Sequence, residues 1–253
     1  YMMYSMSVDQ NQYLGALFFF LHFQYNGWFT SASICLLIGW LHHLLPDTRI
    51  NKTVFQLFFW ACVPAYLLST LWANLPAWLY ALTVLAAFAQ AVAWGIFIKE
   101  IAGYWKELKP KVNRIGGIVL LLVAFAFSIK LVLQLGSTIP AVSKLAFGFR
   151  PIVIAYLHLI LLAVFTLFLL GFSYLNGYFL NNNTTVTGIL IIVVGVFLNE
   201  FVLLVQGVAA FSYSPVPFVN EVLLSVAVII MIGVVILLAA QFKNRTSEEK
   251  LIS

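Results

Sequence analysis

The sequence predicts an all-α protein, a polytopic integral membrane helix bundle with seven transmembrane helices, and three observations carry that prediction. Of its 253 residues, 63% are hydrophobic and only 8% charged, where a soluble domain carries about a quarter charged. Mean hydropathy is +1.03. The apolar residues fall into seven runs, each long enough to cross ~30 Å of hydrocarbon as a helix. The pI of 9.2 therefore reads as basic residues at helix ends, which orient a protein in a bilayer. It is not the footprint of a nucleic-acid partner. The expected partner is the lipid bilayer.

The first run, 13–45, has no Asp, Glu, Lys or Arg across 33 positions. It is long for one crossing, so a tilted helix is expected. Pro46 to Lys52 is a polar turn. The second run is 53–73, with Pro64 placed to kink it. Asn74-Leu75-Pro76 makes a tight connection, and Pro76 suits the start of the third run, 77–98. The most charged loop, Lys106 to Arg114, leads to the fourth run, 115–135, which contains Lys130. A longer connection with Pro140 and Lys144 precedes Arg150-Pro151 and the fifth run, 150–174. Asn181 to Thr185 is a polar turn before the sixth run, 188–210. Pro215 and Pro217 turn the chain into the seventh, 219–242. Residues 1–242 thus form one membrane domain, and 243–253 a polar tail. No internal repeat is evident at the level of whole spans.

An odd number of spans puts the termini on opposite sides. Ten basic residues share one side: Arg49, Lys52, Lys99, Lys106, Lys109, Lys111, Arg114, Lys243, Arg245 and Lys250. Lys144 and Arg150 share the other. The bias of positive charge toward the inside then places the N-terminus outside and the C-terminus in the cytoplasm. Cys35 and Cys62 both lie in apolar runs, so no disulfide framework is expected. No basic-headed signal peptide precedes the first run. The chain also opens without Met, which leaves room for a longer parent with an N-terminal half missing here.

Polar residues within the spans are the candidate functional residues, because an ionisable group at membrane depth is costly. His22, Tyr25 and Asn26 are three and four apart and share a helix face. By helical rise, His22 lies ~14 Å below the outer surface, His158 ~12 Å, Lys130 ~8 Å and Glu200 ~15 Å. Asn199 extends this layer, and Gln134 and Gln206 border it. Such a layer suits a cofactor pocket, or a path for substrate or ions. Each member also has a plainer reading. His22 and His158 can be neutral and hydrogen-bonded, Lys130 can snorkel to the outer surface, and Glu200 can be protonated against one neighbour. His42 and His43 sit at the opposite, wet end.

Two segments resemble a known group: Leu21 to Phe29, LHFQYNGWF, and Arg150 to Leu162, RPIVIAYLHLILL. They are similar to motifs of uncharacterised bacterial polytopic proteins, themselves distantly similar to haem-copper oxidase subunit I and nitric oxide reductase. That superfamily has twelve spans with both ends cytoplasmic. The resemblance implies that this chain matches the last seven, entering from outside and ending inside. It places His22 on a helix that carries a metal-ligand histidine, and His158 on the helix that carries haem ligands, with Tyr156 in the place of a second histidine. It implies haem as a cofactor and a bacterial cytoplasmic membrane as the location. The adjacent histidines that bind copper in the superfamily have no counterpart in the second span, so copper in its standard form is not expected.

Three functions follow as expectations. One is an oxidoreductase-like redox core with haem on His158 and a metal at His22. Another is a transporter or channel using the Glu200, Lys130 and His22 cluster, with Tyr25, Asn26 and Asn199 beside it. The third is a structural or assembly subunit that meets other membrane subunits. Whether the chain is an enzyme stays open at this level.

Overall fold

A computed structural model of the chain describes residues 10–71, 73, 75–143 and 149–252. Asn74 of the tight connection and Lys144 of the outer side lie outside the described residues. Every described element is a helix, and there is no strand among the described residues. Helix α1 covers residues 10–44, α2 Lys52–Thr70, α3 Ala77–Gly103, α4 Arg114–Gly136, α5 Arg150–Leu175, α6 Asn183–Phe211 and α7 Val219–Ile252. The polar tail is thus a continuation of α7. A single turn, Trp105–Leu108, follows α3.

Six of these helices, α2 through α7, are long and apolar enough to cross a membrane, which makes this an integral membrane protein. Helix α1 is not in that set. It is helical throughout, with a length of ~50 Å at 1.5 Å per residue. Its apolar character is diluted by His22, Gln24, Tyr25 and Asn26 in the middle and by His42 and His43 at the end.

Local chemistry sets the helix ends. Asn51 accepts the Thr53 N–H at 2.9 Å and starts α2. Asn113 accepts the Ile115 N–H at 2.9 Å, and Asn182 the Thr185 N–H at 2.8 Å, ahead of α6. These are side-chain caps for orphan amides. Pro151 opens α5, where its missing N–H costs nothing. The other end of α5 closes with Gly177 at φ +72°. The Tyr178 N–H bonds the Ser173 carbonyl and the Gly177 N–H the Tyr174 carbonyl, the paired bonds of a Schellman stop.

The chain divides into two compact units, Tyr1–Lys111 with Ser128–Gly148, and Val112–Phe127 with Phe149–Ser253. The first unit holds α1, α2, α3 and the second half of α4. A small core of Ala61, Ala65 and Leu68 from α2 with Ala86 and Ala87 from α3 lets those two helices approach closely, as small residues do in membranes. At the basic end of this unit, the Arg49 N–H bonds Tyr104 Oη, the Asn51 N–H bonds Glu100 Oε2, and Lys111 Nζ donates to the Leu44 carbonyl. The α1–α2 loop and the α3–α4 loop therefore share one end. His42 belongs there too, donating from Nε2 to the Thr48 carbonyl at 2.7 Å and closing the turn.

The second unit holds the first half of α4 with α5, α6 and α7. Here α6 and α7 pack through glycines. A Cβ on Gly188 would lie 2.8 Å from the Leu237 backbone nitrogen, whereas one on Gly195 would crowd the Ile230 side chain at 2.5 Å and reach backbone only at an ordinary 3.5 Å. Gln241 of α7 accepts the Leu180 N–H at 2.8 Å and donates to Thr185 Oγ1 at 3.1 Å, fastening the α5–α6 turn. Backbone cannot swing aside as a side chain can. Gly188→Ala should therefore cost about 1–3 kcal/mol and Gly195→Ala clearly less. Reversible unfolding in mixed micelles would measure both, and equal losses would refute the backbone-contact account.

Candidate functional site

Two histidines sit in matching local frames, one in each unit. Helix α1 widens to a π-helix over Phe23–Phe29, immediately after His22, and α5 does so over Leu159–Thr166, immediately after His158. A threonine stands eight positions after each histidine, just past the first π-helix and at the last position of the second. Thr30 Oγ1 donates to the Tyr25 carbonyl at 2.7 Å, and Thr166 Oγ1 to the Leu161 carbonyl at 2.8 Å, both five residues back. That spacing is the π-helical one, so the hydroxyl helps satisfy a carbonyl in the widened turn. The sequence signal is Leu-His, six residues, Phe-Thr: Leu21-His22 with Phe29-Thr30, and Leu157-His158 with Phe165-Thr166. A reading for repeats of whole spans passes over so short a match.

The histidines differ in what holds them. His22 is buried, 2% exposed. Its Nε2 lies 2.9 Å from the Cys62 carbonyl of α2, and its Nδ1 lies 3.1 Å from Asn26 Nδ2. A carbonyl only accepts, so Nε2 carries the proton. Nδ1 is then an acceptor for the Asn26 amide. The Cys62 carbonyl is available because α2 changes winding after Pro64, from α-helix to a 3-10 helix over Tyr66–Thr70. The Tyr66 N–H, which an uninterrupted helix would direct at Cys62, bonds Val63 and Pro64 instead. His22 is thus a neutral clamp between α1 and α2, with both ring nitrogens in use. A metal there would have to displace Asn26.

Aromatic rings and hydroxyls surround this clamp. Phe23 and Tyr66 pack edge-on to His22 at 5.2 and 6.0 Å, and Tyr66 Oη donates to the Gly15 carbonyl at 3.0 Å. Tyr25 is buried and shares a hydrogen bond with Ser69 of the 3-10 turn.

Lys130, on the α4 half that belongs to the first unit, does not snorkel. It is 3% exposed, and its Nζ donates to Gln134 Oε1 at 2.7 Å; Gln134 Nε2 in turn donates to Gln90 Oε1 of α3 at 2.7 Å. Nearby, Trp94 Nε1 donates to Ser128 Oγ at 2.9 Å. Of the expected polar layer, His22, Asn26, Tyr25, Lys130 and Gln134 belong to the first unit, the first three bonded to each other or to the Cys62 carbonyl and Ser69, the last two chained to Gln90. Gln90, Ser69 and the Cys62 carbonyl were invisible in the sequence because an amide, a hydroxyl and a backbone carbonyl carry no pattern of their own.

His158, Tyr156, Asn199 and Glu200 belong to the second unit. His158 is half-buried, and its Nδ1 donates to the Ile154 carbonyl at 2.9 Å. That bond fixes the proton on Nδ1, and the Nε2 lone pair has no partner among the described residues. Where α1 has Asn26, four residues after its histidine, α5 has apolar Leu162. Tyr156, two residues from His158, points to a different side of the helix. Asn199 is buried, and its Nδ2 lies 3.3 Å from Oε1 of half-buried Glu200, a long contact between neighbours. Among the described residues no three His, Cys, Asp or Glu side chains come together as metal ligands. Cys35 and Cys62 are both free thiols.

No family model, curated protein or solved structure matches the chain.

Replacing His22 tests the clamp. His22→Leu would leave the Cys62 carbonyl and the Asn26 amide without partners, at about 1–3 kcal/mol for each buried group. His22→Gln keeps a donor and should recover a large part of that loss in the same unfolding measurement. Equal destabilisation by both would mean that packing, not hydrogen bonding, holds α1 to α2.

Proposed function

We propose that this chain is a seven-span protein of a bacterial cytoplasmic membrane and a haem-binding redox protein of the haem-copper oxidase-like type. The seventh span in this reading is α1. Its length supports that, since ~50 Å of helix exceeds the ~30 Å hydrocarbon core. Its buried polar residues His22, Tyr25 and Thr30 are hydrogen-bonded within the protein, as crossing lipid requires. The ten-to-two distribution of basic residues favours an outside N-terminus and a cytoplasmic C-terminus. Within the first unit, Arg49, Lys99 and Lys111 are gathered at one end by the loop contacts, in keeping with that sidedness. Labelling of single cysteines introduced at Asn51 and Asn181 in intact cells tests it: Asn181 should react from outside and Asn51 should not.

The observation that carries the haem reading is His158. Its Nδ1–H is held by a carbonyl one turn back, and its Nε2 lone pair, in a strongly apolar helix, has no partner among the described residues. This is the tautomer and support that an axial imidazole requires. Bound there, haem would supply one-electron chemistry, and the apolar helix would keep water from the iron. Tyr156, on a different side of the helix, is not placed to share the same axial position. His22 does not fit as a first copper ligand, because both of its nitrogens are engaged and α2 presents a carbonyl to it. The transport alternative uses Glu200, Lys130 and His22; Lys130 is engaged in the Lys130–Gln134–Gln90 chain between α3 and α4 and His22 in its clamp with α2, which favours the haem reading.

The test is an absorption spectrum of the purified chain, oxidised and reduced, with iron counted by mass spectrometry. A Soret band with stoichiometric iron should be present, be lost in His158→Ala and survive in His22→Gln. A featureless spectrum after haem supplementation would sink the proposal.

A further inference from the structure

The basic end of the first unit contains a recess whose chemistry the redox reading does not use. It has a volume of about 510 Å³ and is lined by Arg49, Ile96, Lys99, Glu100, Gly103 and Tyr104, a size that suits a small polar group. Its donors are uncommitted. The Arg49 backbone N–H is spent on Tyr104 Oη, but neither its guanidinium nor the Lys99 ammonium makes an ion pair or hydrogen bond among the described residues. Because Tyr104 Oη accepts that N–H, its own proton is left to donate. The one acid in the recess, Glu100, is turned to the Asn51 N–H at 3.0 Å. Other cations nearby are differently placed: Lys111 is tied to the Leu44 carbonyl.

Position adds a second argument. Lys99 follows the last apolar residue of the third span, so the recess lies where hydrocarbon gives way to water. Trp105, exposed beside it, is the kind of ring that settles at that interface. Arg49, Lys99 and Tyr104 line one recess at this depth, and their side chains match a phosphate: the two cations neutralise its charge, and Arg can hold two of its oxygens at once. Ile96 and Gly103 leave an apolar, open wall on which a glycerol backbone can rest.

We propose that this recess is a phosphate-ester site, filled by the headgroup of an anionic phospholipid through Arg49, Lys99 and Tyr104. Basic pockets at the cytoplasmic ends of spanning helices are suited to such headgroups.

The experiment uses the full chain in neutral detergent, titrated with phosphatidylglycerol, with phosphatidylcholine, and with inorganic phosphate, and followed by native mass spectrometry and thermal unfolding. The expected result is retention of phosphatidylglycerol over phosphatidylcholine, with a preference that falls by about thirtyfold in the Arg49→Gln/Lys99→Gln double variant, as two basic contacts would give. The Lys106→Gln/Lys109→Gln double variant removes exposed charge outside the recess and should keep the preference. Inorganic phosphate that stabilises the parent but not the Arg49→Gln/Lys99→Gln variant would support the phosphate site and assign it a soluble ligand. Equal preference in the parent and that variant, or equal loss in both double variants, would overturn the proposal, since charge near the membrane and not this recess would then be responsible.

Discussion

A backbone carbonyl that its own helix does not satisfy must find another donor inside the protein, because hydrocarbon offers none. The first unit depends on one such carbonyl. Pro64 and the tighter winding after it leave the Cys62 oxygen without its usual amide, and His22 of α1 supplies the missing proton. That bond sets the tautomer of His22, which sets the role of Asn26, which in turn uses up the ring. The Tyr25–Ser69 and Tyr66–Gly15 bonds run between the same two helices. A break in the regular winding of α2 thus becomes the means by which α1 is held to its neighbour.

The same logic explains the π-helices. A widened turn lengthens the reach from amide to carbonyl, and a threonine hydroxyl at its end adds a second donor to the carbonyl five residues back. Both units use this device directly after a histidine, yet the two rings end in opposite states. One is closed by an amide and a carbonyl from the next helix; the other is fixed by its own helix and left open at Nε2. The residue four positions on, Asn26 or Leu162, is the sequence difference that accompanies that divergence. A histidine motif in a membrane helix is therefore not evidence of ligation until its second nitrogen has been accounted for.

Much of the fold was legible beforehand. Long apolar runs separated by proline, asparagine and charge located α2 through α6 and the start of α7 to within about five residues, because lipid imposes length and polarity on any helix that crosses it; α7 runs on through the polar tail to Ile252. The caps at Asn51 and Asn182 and the Pro151 start follow from local chemistry. The site was legible only as a list. His22, Asn26 and Lys130 stood out because their cost in an apolar run is visible residue by residue. Their partners did not, since Gln90, Ser69 and a carbonyl gain meaning only from what lies opposite. Depth along a helix placed Lys130 within reach of the outer surface, but rotation about the axis decides whether a lysine snorkels or turns inward, and here α3 offers Gln90 and the interior wins.

The sequence by itself determined an all-helical membrane protein, the order and limits of its apolar helices, and the polar residues whose burial needs explaining. The tertiary structure decided which of those residues are consumed by holding helices together and which nitrogen stays free. The physical reason is that span and polarity are properties of a single helix in lipid, whereas hydrogen-bond satisfaction is a property of pairs. A pair forms only when the winding of one helix, altered by a proline or a π-turn, presents its spare carbonyl to the side chain of another.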